Sequence, residues 1–268
     1  MFSYQEYYTE NKFSLFIKKI WVLDNLFNTN IIAGKSVLPN GCFNIAVIEG
    51  NGLKIKHVGW DKHLSTGVYF CGQMTQAIEV DILPNSKATM IQIYPWVPSY
   101  FILDDMSNFR DAIILIDSFK FNSELIGKLP GQSHRVIYKT IVFVFAPLFK
   151  TGSVPDLIYK ATSLIMSNNG ILAVSQLATE LSCSTRHLQK VFKKHIGLSP
   201  KQFSLIIKLR NIIDDIAYPK KEILSITDHA LDNEFYDQAH FIHAFKSFAK
   251  ISPKKFNITD YFLTLKNS

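Results

Sequence analysis

Cysteine is scarce, with only Cys42, Cys71 and Cys183 in 268 residues. The three are far apart and odd in number, which argues against a disulfide framework or a zinc cluster and fits reduced thiols packed as small core residues. Long apolar runs are also missing, since no stretch approaches the roughly 20 residues that span a bilayer. The amino terminus, MFSYQEYYTENK, has acidic residues where a secretory signal would have a basic start and an apolar run. The sequence therefore predicts a cytoplasmic protein with no membrane partner. A glycine-rich phosphate loop and a GxSxG elbow are absent. In the first half, His57, His63 and His134 lack the close histidine pair and following carboxylate with which a β-barrel holds a metal. No catalytic residue, metal or cofactor is expected.

What the chain does have is apolar bulk and an uneven charge. Apolar residues make up 47%, enough for two separate cores. Of the net charge of +7, the residues up to Gly152 carry 14 Lys plus Arg against 12 Asp plus Glu, and those from Ser153 onward 15 against 10. Between Leu181 and Ile213 stand Arg186, Lys190, Lys193, Lys194, Lys201, Lys208 and Arg210, with no carboxylate among them. Such a patch attracts a polyanion, although a basic stretch taken alone is equally a solvated helix face.

The first third predicts short strands between turn signals. They are Ile31 to Leu38, Cys42 to Ile48, Leu53 to Val58, Gly67 to Cys71, Ile78 to Leu83 and Thr89 to Tyr94, in the manner of an antiparallel meander. After Pro98 the texture becomes helical, with helices expected over Ser99 to Leu103, Ser123 to Leu129 and Ser133 to Phe149. Residues 151–155 are rich in turn formers and mark a linker. The reading is an α+β chain, with a β-rich domain at 1–150 and an all-helical domain at 156–268.

Asp156 can cap a helix over Leu157 to Asn168, and Asn168-Asn169-Gly170 can end it in left-handed geometry. Two segments then repeat. Ser175 to Leu181, the turn Ser182-Cys183-Ser184, a helix through Lys194 and Gly197-Leu198-Ser199-Pro200 correspond to Ile226 to Leu231, Asp232-Asn233-Glu234, a helix through Ser247 and Lys250-Ile251-Ser252-Pro253. Phe192-Lys193 recurs as Phe245-Lys246, and Pro200 as Pro253, both 53 residues later. In the first copy Leu188, Val191 and Phe192 fall on one helix face, and Arg186, Gln189, Lys190 and Lys193 on the other. Arg and Lys can meet guanine O6 and N7, Gln can pair with adenine, and a helix fits the major groove. The second copy buries Phe241, Ala244 and Phe245 and turns out Gln238, Ala239, Ile242, His243 and Lys246, with His240 at the margin. Ala239 and Ile242 can touch a thymine methyl but make no bidentate contact, so the first copy is expected to read more bases and the second to hold more phosphate.

The stretches SQLATELSCSTRHLQKVFKKHIGLSPKQF and SITDHALDNEFYDQAHFIHAFKSFAKISPKKF, joined by LIIKLRNIIDD, resemble the DNA-binding domain of the AraC/XylS family of bacterial transcription regulators. The resemblance covers about 100 residues. It implies two helix-turn-helix units, at about 174–195 and 226–247, whose recognition helices enter successive major grooves of promoter DNA. The base-reading positions it implies are Arg186, Gln189, Lys190, Gln238, Ala239, His240 and His243. The family has glycine where this chain has Glu234 and Lys250, and an arginine near the place of Asn257. A side chain in left-handed backbone is costly, so the second unit is expected to be less stable or reshaped.

More weakly, LPNGCFNIAVIEG, CGQMTQAIEVDIL and TMIQIYPWVPSYFI resemble the cupin-like β-barrel sensing domain that precedes this DNA-binding domain in part of the family. That implies a pocket for a small-molecule effector, a site for a protein partner, or a homodimer contact, together with contact to RNA polymerase. Phe43, Tyr69, Phe70, Tyr94 and Trp96 can line a cavity or simply pack a core. Two readings from other classes stand beside this one. A metal enzyme with a DNA-binding appendage lacks its ligands, since His240 and His243 at i, i+3 have no evident third partner. A protein-interaction adaptor is not distinguished by sequence.

Overall fold

A computed structural model of the chain describes residues 1–8, 12–116, 123–151, 154–218, 235 and 237–262. Ten strands come first: β1 (Ser3–Tyr8), β2 (Ile17–Asn25), β3 (Ile32–Val37), β4 (Phe43–Gly50), β5 (Leu53–His57), β6 (Trp60–Leu64), β7 (Gly67–Cys71), β8 (Ile78–Ile82), β9 (Ser86–Ile93) and β10 (Ile113–Leu115). The described helices are α1 (Ser123–Gly127), α2 (His134–Thr151), α3 (Asp156–Ser167), α4 (Val174–Glu180), α5 (Thr185–Ile196), α6 (Pro200–Ala217) and α7 (Gln238–Ala249). The α+β class, β-rich first and helical after, is as the sequence predicts.

The strands form two antiparallel sheets, one of order β1-β2-β9-β4-β7-β10 and one of order β3-β8-β5-β6. A meander does not describe them, because among neighbours in a sheet only β1–β2 and β5–β6 are consecutive in the chain. The larger sheet is apolar on both faces. Trp21, Leu23, Ala46, Ile48, Tyr69, Cys71 and Ala88 face Leu53, Ile55, Leu64, Val80 and Ile82 of the smaller sheet. The alternate residues Ile20, Val22, Ile45, Val47, Val68, Phe70 and Ile91 belong to a second cluster that continues into the helices. Two-residue alternation thus sorts one strand set into two cores. With apolar residues on both faces, β2 shows little of the in–out pattern by which a half-buried strand is recognised, and sequence reading passed over it.

Two local expectations change, and one alternative is decided. Ser99 to Leu103 is not an α-helix; a 3-10 turn spans Val97–Tyr100, with Pro98 early in it. Asp156 is the first residue of α3 rather than its cap; Pro155 precedes it, and the Asp156 carboxylate pairs with Lys160 one turn on at 2.6 Å. Phe43, Phe70 and Trp96 are buried in the helix-facing core, and none of the five aromatics considered above is among the residues lining the cavity between the sheets. The end of α3 is as expected, with Asn169 at φ +53° and Gly170 at φ +74°. A Cβ on Gly170 would lie 2.2 Å from the carbonyl oxygen of Ser204, so this glycine lets the α3 terminus close on α6.

The helix-facing cluster runs without interruption from Ile20 and Val47 through Ile141 and Phe145 to Ile165, Phe203 and Phe245. Of the linker expected at 151–155, Thr151 is the last residue of α2 and Pro155 directly precedes α3, and residues 152–153 lie outside the described ones. All three cysteines are free, Cys42 and Cys71 buried and Cys183 half-buried. Among the described residues no helix is long and apolar enough to cross a membrane.

Candidate nucleic-acid interface

The first unit is α4, a turn, and α5. Leu177 and Ala178 bury the inner face of α4, and Ser182 takes φ +51° in the turn. Ser184 then caps α5, its Oγ accepting from the N–H of His187 at 3.2 Å. Leu188, Phe192 and Ile196 are fully buried along one side, with Phe192 edge-on to Phe203 of α6 at 5.5 Å. This anchoring leaves Arg186, Gln189, Lys190 and Lys193 exposed on the outer side. Gly197 closes the helix at φ +84°.

α6 starts with a reciprocal cap. The N–H of Gln202 donates to Ser199 Oγ at 3.2 Å, and the N–H of Ser199 donates to Gln202 Oε1 at 3.0 Å, while Pro200 takes a position whose N–H has no helical partner. Of the second unit, the expected first helix at 226–231 and turn at 232–234, with Glu234, lie outside the described residues. α7 is described in full. Asp237 caps it by accepting from the N–H of His240 at 2.7 Å. Phe241, Ala244, Phe245 and Phe248 are buried. Gln238, Ala239, His240, His243 and Lys246 are exposed, together with Ile242 at 41%. All nine residues singled out in the sequence are therefore solvent-facing on two helices, and His240 is outside rather than marginal.

Sequence reasoning missed what the β-rich half does to α5. Ser99 Oγ is 3.0 Å from His195 Nδ1 at the end of the helix. The 3-10 turn Met106–Phe109 packs against the same end, and a Cβ on Gly197 would lie 2.6 Å from the Met106 carbonyl oxygen. Asp105 caps that turn by accepting from the N–H of Ser107 at 2.8 Å. Burial pushes the Asp105 carboxyl up, but the Ser107 hydroxyl and N–H, then the charges of Lys193 and Lys194, hold it below the usual carboxylate range. A carboxylate from the first half thus sits in the field of the basic last turn of α5. The adjacent pair Asp104-Asp105 is visible in the sequence, but nothing local links it to residues some 90 positions away.

Another contact between the halves lies at α7. The N–H of Ala77 donates to the carbonyl of Phe248 at 2.7 Å, and Gly41 approaches Phe203 and Ile207 of α6 so closely that a Cβ there would lie 2.7 Å from Ile207. Among the described residues there is no group of three His, Cys, Asp or Glu that can hold a metal.

Residues 177–257 match the family described as Helix-turn-helix domain. An uncharacterised HTH-type transcriptional regulator of Haemophilus influenzae is 28% identical over 83 residues, which is 31% of this chain and 27% of that protein. The match thus spans about a quarter of that relative's length. Among solved structures, ToxT from Vibrio cholerae aligns over 94% of this chain and 96% of its own, at 14% identity and a TM-score of 0.46. An AraC-type DNA-binding domain-containing regulator from Chromobacterium violaceum aligns over 37% of this chain and 87% of its own, at 24% identity and a TM-score of 0.33. The resemblance of the carboxy-terminal segment to a helix-turn-helix domain is borne out.

Proposed function

We propose, from the helix-turn-helix domain at residues 177–257, that this chain is a sequence-specific DNA-binding transcription regulator of the AraC/XylS type. In this reading residues 156–268 are the DNA-binding domain, and α5 and α7 enter successive major grooves. The observation that carries it is the exposed row Arg186, Gln189, Lys190 and Lys193 on a helix whose opposite side is locked by Leu188, Phe192 and Ile196. Donors on a rigid helix are what direct readout of base edges requires. Arg186, Gln189 and Lys190 read bases, and Lys193 and Lys246 take phosphates. On α7, Gln238 and His243 supply hydrogen bonds, His240 stands at the helix start, and Ala239 and Ile242 offer apolar contact.

Residues 1–150 act in this reading as a sensing or dimerisation domain, responding to a small molecule or a protein partner. The cavity between the sheets, about 70 Å³ and lined mostly by apolar side chains with Asn40, Asn44 and Gln73 among them, supports the sensing role. Contact with RNA polymerase, pairing with a second copy of the chain, and residence on the nucleoid in the cytoplasm complete the proposal. It includes no catalytic step.

The test is a pair of variants in a competition assay between specific and random DNA. Arg186→Ala costs about 1–3 kcal/mol at one base pair and relaxes preference there, while Lys193→Ala weakens all DNA alike and lowers the salt dependence. The reverse pattern overturns the assignment.

A further inference from the structure

β5 and β6 are joined by the two-residue turn Val58-Gly59, with Gly59 at φ +101°, so that His57 stands opposite Trp60. Strand alternation puts both side chains, and that of Lys62 two residues on, on the face that meets the larger sheet. There Trp60 Nε1 donates to the carbonyl of Asp111 at 2.9 Å, and Lys62 Nζ to that of Ile113 in β10 at 2.5 Å. The His57 side chain is 4% exposed, and its ring stacks on Trp60 with centroids 5.0 Å apart. Neither of its nitrogens has a hydrogen-bond partner among the described residues, a costly state for a buried polar ring. Asp111 Oδ1 stands 3.6 Å from Nε2, just beyond hydrogen-bond length.

Asp111 itself ties together two strips of the β-rich half. It sits at φ +53°, uncommon for a residue with a side chain, and its N–H donates to the Gln73 carbonyl at 2.9 Å. Oδ1, the oxygen that faces His57, accepts from the Thr75 N–H at 2.7 Å, and Oδ2 accepts from the Thr75 hydroxyl at 2.8 Å. Each strip goes on to touch a helix of the other half. Just before Asp111 comes the 3-10 turn Met106–Phe109 that packs on the end of α5. Two residues after Thr75 comes Ala77, whose N–H donates to the Phe248 carbonyl of α7. Thr75 and Asp111 also line a cleft of about 400 Å³ together with Leu205 of α6 and Phe248. The neighbouring charges are otherwise engaged or turned away. Arg110 Nε is 4.0 Å from Asp111 Oδ2 on a half-exposed side chain. Lys56 and Asp61, next to His57 and Trp60 in their strands, fall on the opposite face, where Lys56 pairs with Glu79 at 2.6 Å.

We propose that His57 and Asp111 form a proton-operated latch between the two strips. With the imidazole neutral, the carboxylate is held by Thr75. When His57 takes a proton, Nε2–H donates to Asp111 Oδ1, and the pair closes to the roughly 2.7–2.9 Å of a charge-assisted hydrogen bond. That movement draws Oδ1 off the Thr75 N–H, and the strip 73–77 loosens its hold on the end of α7. A buried imidazolium needs a counter-charge, and the one carboxylate that supplies it is the one that fastens the strip. Histidine is the side chain that ordinarily changes charge between about pH 5 and 8, so mild acid is the signal. The latch stands without the regulator reading, and its test uses no DNA.

The experiment follows amide hydrogen exchange of the full-length protein by NMR at two pH values, about 7.5 and 5.5, with rates corrected for the intrinsic pH dependence of exchange. Protection of the Thr75 and Ala77 amides should fall at least fivefold more than that of the β4 amides at the lower pH. His57→Phe, whose ring can still stack on Trp60 but takes no proton, should remove the difference; His57→Gln makes the same comparison if the Phe variant does not fold. His195→Gln should leave it in place, which separates the latch from the other histidine between the halves. A fall at Thr75 and Ala77 no larger than in β4, or a difference that persists in the His57 variants or disappears in His195→Gln, would overturn the proposal.

Discussion

Lys250 closes α7 at φ +67°, the left-handed conformation that Gly197 adopts at φ +84° to close α5 53 residues earlier. Each stands three residues before a proline in the same Ser-Pro element. The two helices thus end on one backbone plan, with a lysine at one of them in the conformation that suits glycine.

A side chain in this conformation costs about 1–2 kcal/mol, and a glycine at the site gives back roughly 0.5–1 kcal/mol through its freer unfolded chain. Lys250→Gly should therefore stabilise the protein by up to about 1 kcal/mol. Gly197→Ala should destabilise by more than that, because its Cβ would also lie 2.6 Å from the Met106 carbonyl oxygen. Denaturant titrations of both variants check the opposite signs.

Asp105 lies in the field of Lys193 and Lys194 and tempers the basic end of α5. Asp105→Asn keeps a side chain able to cap Ser107 but removes the charge. Affinity for random-sequence DNA at low salt should rise a few-fold, and the gain should fade as salt screens it. Fluorescence anisotropy at two ionic strengths measures this.

Burial, then the Lys194 charge, hold the His195 imidazole below its ordinary value of 6.5, against the pull of Asp105. On acidification below about pH 6.5 the unfolded chain takes the proton before the folded one does. The stability that depends on the neutral imidazole is complete above that pH and declines as pH falls towards the folded value. His134, stacked on Tyr7 at 3.8 Å and depressed by burial and then by Arg135 and Lys87, adds to the same slope. The urea midpoint should drop between pH 7.5 and 5.5, and His195→Gln should flatten the drop. An unchanged slope in that variant counts against the half-buried His195 imidazole as its source.

Burial pushes the Cys71 thiol up to about 12 and the Cys42 thiol upward as well, so neither supplies thiolate at neutral pH. Half-buried Cys183 should be the thiol that a disulfide reagent modifies quickly in the native protein, with all three reacting after unfolding. Absorbance during the reaction counts them.

The helical half was legible because its signals are local. Periodic apolar residues, the Ser-Pro elements and the repeated Phe-Lys pair all act within one or two turns, and they placed Arg186, Gln189 and Lys190 outward without any tertiary information. The β half was legible only where strands are separated by turn signals, as at Pro39-Asn40-Gly41. Apolar residues on both faces hid β2, and sheet order depends on pairings that no local pattern encodes. The contacts that join the halves, Ser99 with His195, Ala77 with Phe248 and Ser36 with Phe262, link residues 96 to 226 positions apart. They arise from tertiary packing alone.

The central claim is that two helices of one chain read DNA. Selection of bound sequences from a random pool by the full-length protein, with Arg186→Ala in parallel, tests it most directly. The account predicts a bipartite motif with its elements about one helical turn apart, one of them lost in the variant. Folded protein that enriches no motif, or a variant that enriches the same one, would contradict it.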